Sequence, residues 1–110
     1  MNPHKFKAIE CTISRGGFSD ERVFAFQIGD KTYSGVASRR HMWDKNRQPI
    51  EDGEPPLGQK IKGFVAARIV TIESDESATV SIPDGEVIKI PIALLVDRPA
   101  QVEDHVSLGS

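Results

Sequence analysis

Ala78-Thr79-Val80-Ser81-Ile82-Pro83-Asp84-Gly85-Glu86-Val87-Ile88-Lys89-Ile90 is the stretch on which the fold turns. Ala78, Val80 and Ile82 alternate with Thr79 and Ser81, the period of a strand with one buried and one wet face. Pro83-Asp84-Gly85 stops that strand. A two-residue loop would set Val80 opposite Lys89. A three-residue loop sets Ile82 opposite Glu86, Val80 opposite Ile88 and Ala78 opposite Ile90, so the apolar pattern selects three. Pro first, Asp second and Gly in the left-handed third place suit a type I turn closed by a bulge.

A second hairpin is legible upstream. Phe24, Phe26 and Ile28 alternate with Ala25 and Gln27, Gly29-Asp30 breaks the run, and Tyr33 and Gly35 follow. Here two loop residues suffice, and Gly at the first of them predicts a type II′ turn. The register then pairs Ile28 with Lys31, Phe26 with Tyr33, and Phe24 with Gly35. Each hairpin is preceded by a longer strand, Phe6 to Ser14 and Phe64 to Ser74. In both, the apolar phase slips midway, from Phe6 and Ala8 to Ile9, Cys11 and Ile13, and from Ala67 and Ile69 to Val70 and Ile72. Such slips predict a bulge or sharp coil that curls the sheet. Both strands begin Phe-x-Ala, Ser-Asp-Glu occurs at 19–21 and at 74–76, and Ser38 to Met42 and Pro91 to Leu95 each read as one helical turn.

Eleven Ile and nine Val against four Leu fit strands, because branched side chains suit a pleated surface and lose rotamer freedom in a helix. We therefore expect an all-β fold, a small antiparallel, partly open barrel of five to six strands with one or two short helical turns. It is SH3-like or built as a pseudo-twofold duplicate. The expected domain covers residues 1–97, with repeats at 5–43 and 63–97 joined by a loop at 44–62, and a flexible tail at 98–110. From Phe64 to Val96 the succession of strands and an Asp-Gly turn resembles small SH3-like barrels such as those of translation and ribosomal proteins. That resemblance is one of pattern and implies no functional residue.

With 14 Lys and Arg against 16 Asp and Glu, the net charge of -2 does not supply the broad positive field of a general nucleic-acid binder. Cys11 stands alone, so no internal disulfide forms, and it reads as a small buried hydrophobe. The polar start Met1-Asn2-Pro3-His4-Lys5 has no apolar signal core, and no stretch approaches a membrane span, which predicts a cytoplasmic protein without a membrane partner.

The sequence carries no familiar catalytic or metal-binding signature. His4, His41 and His105 lack second ligands at metal spacing, Gly16-Gly17 is outside any phosphate-binding pattern, and no serine sits in a nucleophile elbow. We expect neither an enzyme nor a cofactor. The most unusual chemistry is the segment Arg39, Arg40, His41, Trp43, Lys45 and Arg47, a local charge of +3 against Asp44 alone. It opens a Pro- and Gly-rich connector that carries Glu51, Asp52 and Glu54. Two readings compete. In one, the six residues form a contact surface for another protein, with Arg and Trp as anchors. Adding Lys60 and Lys62, the same surface would suit single-stranded RNA, with Trp43 as a stacking platform. In the other, Met42 and Trp43 plug the barrel while the arginines are solvated or pair with the acidic loop.

Overall fold

A computed structural model describes residues 5–99. Its strands are β1 (Phe6–Arg15), β2 (Glu21–Ile28), β3 (Lys31–Ser38), β4 (Met42–Asp44), β5 (Ile61–Ile72), β6 (Ser77–Ser81), β7 (Val87–Pro91) and β8 (Leu95–Asp97). Single 3₁₀ turns at Arg39–His41 and Ile92–Leu94 precede β4 and β8. The fold is all-β. One antiparallel sheet in the order β3-β2-β1-β5-β6-β7 curls into an open half-barrel, with β4 added to β5 and β8 to β1.

Both hairpins take the register expected from their patterns: Phe26 opposite Tyr33, Phe24 opposite Gly35, Val80 opposite Ile88, Ala78 opposite Ile90. Gly29 has φ +64° and Gly85 φ +95°, the two loop positions that need a left-handed backbone. Stacking of Phe26 on Tyr33, with ring centroids 5.7 Å apart, ties the first hairpin across its strands.

The two phase slips have different causes. In β5 the register shifts between Ile69 and Thr71, the expected bulge. In β1 the pairing with β5 runs without a shift from Phe6 opposite Arg68 to Ile13 opposite Ile61. The change of phase there arises because both faces of the strand are covered. Ile9, Cys11 and Ile13 enter the main core with Phe24, Val65, Ala67, Val80 and Ile90. Ala8 packs on the opposite face with Trp43 and Ala66, flanked by Phe64 and Val96. Trp43 therefore fills this second cluster while its neighbour Met42 fills the first.

Strand order and register repeat. Ile13 pairs with Phe24 as Ile69 pairs with Val80, 56 residues on. Ile9 pairs with Leu95 as Val65 pairs with Met42, so the segment after each hairpin is offset by 53. Hydrogen bonds outside the strands follow the same rule, Arg39 N–H to the Asp20 carbonyl and Ile92 N–H to the Glu76 carbonyl. An approximate twofold axis thus passes between β1 and β5. Phe-x-Ala and Ser-Asp-Glu do not fall on equivalent positions; the counterpart of Phe6 is Lys62, and that of Asp20 is Glu76. Each half lends its last short strand to the other, so β8 closes on β1 and not on β5.

Two boundaries differ from the sequence reading. Strand pairing takes in Asp44, Ile61 and Lys62 from the expected connector. At the other end, Arg98 and Pro99 belong to the folded unit. Pro99 is buried and Arg98 hydrogen-bonds to the Lys7 and Ala67 carbonyls. The rest of the expected tail, 100–110, lies outside the described residues.

Candidate functional site

The basic segment is divided by the fold. Ser38 caps the first 3₁₀ turn, accepting from the Arg40 N–H. This directs Arg39 back toward the β1–β2 turn, where its Nε lies 2.9 Å from Asp20 Oδ1 and its Nη1 donates to the Ile50 carbonyl. A hydrogen bond from Ser38, reinforced by Arg39, Arg40 and Arg22, holds the Asp20 carboxyl below its ordinary value. Arg47 goes the other way. Asp44 Oδ1 accepts from the Asn46 and Gln48 N–H groups, Arg47 takes φ +66°, and its guanidinium lies 5.3 Å over Phe64, with Nη1 3.4 Å from the Asp97 carbonyl. Arg40, His41 and Lys45 are exposed. Trp43, only 2% exposed, offers no stacking platform, which corrects its expected role as a contact residue. The residue types were suggestive, but the fold does not bring the six together.

A basic residue that sequence reasoning passed over organises this region. Arg22 is fully buried, and its guanidinium donates to the carbonyls of Ser19, Glu21, Glu51, Asp52 and Glu54 at 2.7–3.3 Å. Burial first, then the charges of Arg15 and Arg39, lowers its pKa from the ordinary arginine value. With Ile50 and Pro55 buried, these bonds pin the connector to the first hairpin and leave Glu51, Asp52 and Glu54 exposed. The signal was present: two residues before Phe24 in a period-two strand, Arg22 has to face inward.

A sizeable concavity lies elsewhere. Along one edge β1 takes β8 at Lys7–Ile9 and β2 from Thr12 onward, leaving Glu10 and Cys11 between them. Here a groove of about 570 Å³ opens. Ile9, Cys11 and Phe26, all nearly buried, supply apolar lining, while Glu10, Gln27, Lys62 and Leu94 are exposed. Burial, with a lesser push from Glu10, raises the Cys11 thiol to about 12, so it lines the groove as a neutral group.

The twofold relation generates a second groove where β5 passes from β4 to β6. It measures about 220 Å³ and includes Ala66, Ala67, Arg68 and His41. Subtracting 56 from the first three and adding 53 to the last turns these into Glu10, Cys11, Thr12 and Leu94 of the first groove, with Phe6 corresponding to Lys62. The smaller groove carries Arg98. Its guanidinium lies 5.0 Å over Phe6, Nε donates to the Lys7 carbonyl at 3.2 Å, and Nη2 to the Ala67 carbonyl at 3.1 Å.

Among the described residues no three His, Cys, Asp or Glu side chains are grouped to hold a metal ion, and no helix is long and apolar enough to cross a membrane. Comparison with protein-family models, with curated proteins and with solved structures gives no match.

Proposed function

We propose that this chain is a non-enzymatic binding module that docks a segment of another protein in the groove beside β1. The observation that carries the reading is the contrast between the paired grooves. One is occupied by the chain's own Arg98, while its counterpart is more than twice the size, apolar within and polar at the rim. That combination is how recognition sites are generally built. The proposed contact moves from the Arg39–Arg47 segment to Glu10, Thr12, Gln27, Lys62 and Leu94, with Ile9 and Phe26 as apolar lining.

Peptides selected from a randomised display library on the immobilised chain test the proposal. Bound to ¹⁵N-labelled protein, they should shift the amide resonances of residues 10–12, 25–27 and 93–96, and Leu94→Glu should abolish binding. Peptides that map to Arg40, His41 and Lys45 would return the site to the basic segment. Failure to enrich any peptide over the Leu94→Glu variant would refute docking in the groove.

A further inference from the structure

We infer that the groove beside β1 receives an arginine side chain of the partner protein, an inference that rests on the docking reading above. The chemistry is displayed in the twofold-related groove. There a guanidinium reaches the gap between two flanking strands, lies over an aromatic ring and donates to two backbone carbonyls. By the twofold relation the counterparts of those acceptors are the carbonyls of Gly63 and Cys11, of which Cys11 lines the open groove and Gly63 follows its lining residue Lys62. Neutral backbone oxygens suit a guanidinium, whose fork of N–H donors serves several acceptors at once.

Substitutions across the twofold axis favour a cation supplied from outside. Ala66 is replaced by Glu10, which adds an exposed carboxylate at the mouth. Arg68 is replaced by Thr12 and His41 by Leu94, which removes one cation and one titratable ring from the wall. Lys62 replaces Phe6, so the stacking ring is lost and an ammonium stands on that side; the incoming guanidinium is directed toward Glu10. Among the described residues, none fills this groove as Arg98 fills the other. Lys45, the counterpart of Arg98, is exposed, in the tight loop that Asp44 closes.

The test is a titration of the full ¹⁵N-labelled chain with N-acetyl-arginine amide and, separately, with N-acetyl-norleucine amide, followed by NMR. Arginine amide should shift Glu10, Cys11, Thr12 and Leu94 saturably, and more strongly than norleucine amide. Glu10→Gln, an exposed change, should weaken it roughly fivefold, as expected for loss of one partly exposed charge pair. Lys62→Phe, which restores the ring found at Phe6, should tighten it. If norleucine amide shifts these residues and arginine amide does not, the arginine assignment is overturned while docking survives. If neither shifts them, both fall. Arginine amide binding that is indifferent to Glu10→Gln also overturns the assignment.

Discussion

The carboxylate of Asp84, at the tip of the β6–β7 turn, packs on the spot where Gly35 of β3 lacks a side chain. A methyl group placed there would run into Asp84 Oδ2 and come within 2.7 Å of Phe24 Cζ. The far edge strand of one half thus meets the hairpin tip of the other without strand pairing. Gly35→Ala should cost about 1–3 kcal/mol, the usual range for overpacking. In urea unfolding followed by Trp43 fluorescence, Asp84→Ala added to Gly35→Ala should recover part of the loss, since residues in contact are not additive. Strict additivity would mean that the contact is not felt.

Arg22→Lys should destabilise the chain by on the order of 2–4 kcal/mol, because one ammonium cannot satisfy five carbonyls that stay buried. The damage should be local as well. Limited proteolysis should cut the variant between 51 and 58 well before the wild type. Unchanged cleavage there would show that Ile50 and Pro55 alone anchor the connector.

Cys11 should resist iodoacetamide at pH 8 until the protein unfolds. Its thiol is raised in the folded state to about 12, against an unfolded value of about 8.5. A raised folded value means that the neutral thiol contributes stability in full below pH 8.5, and the contribution fades as pH climbs toward 12. Urea midpoints compared with Cys11→Ala should therefore converge above pH 8.5. Rapid labelling of the native protein at pH 8 would contradict this.

Removing Arg98 should open the smaller groove. Loss of one cation–π contact and two charge-assisted hydrogen bonds predicts that Arg98→Ala is less stable by roughly 1–3 kcal/mol. The variant should also gain binding of N-acetyl-arginine amide beside Phe6, detectable as new shifts at Ala66 and Ala67.

Single-stranded RNA is expected not to bind. With Trp43 buried and Arg39 and Arg47 engaged, the exposed side chains Arg40, His41 and Lys45 have no stacking partner from the expected segment. Fluorescence anisotropy with mixed oligonucleotides at low salt should stay flat, whereas a rise that collapses with added salt would revive that reading.

Much of the architecture was legible because turn chemistry and period-two alternation are local. Pro83-Asp84-Gly85 and Gly29-Asp30 set their registers through neighbours only a few residues away. Partner choice by β4 and β8 was not legible, since three-residue strands carry too little pattern to name a strand in the other half. The second apolar cluster was hidden for a related reason. Phe6 and Ala8 looked like a break in phase when Ala8 lay on the other face of a strand covered on both sides. Charge clustering along the chain misled most, because a single 3₁₀ turn and an Asp44-capped loop send Arg39 and Arg47 to different sides. The grooves were invisible, as each is defined by the space between two strands that share a third.

Because each half surrenders its closing strand to the other, the molecule behaves topologically as two interlocked protomers on one thread. Past Pro55 the connector is exposed as far as residue 60. A chain cut at Leu57-Gly58, both exposed, should yield fragments that are separately unable to complete a sheet and that reassemble on mixing. Joining the ends differently, or lengthening the connector there, should leave the two grooves intact, which makes the groove beside β1 transplantable with its whole scaffold.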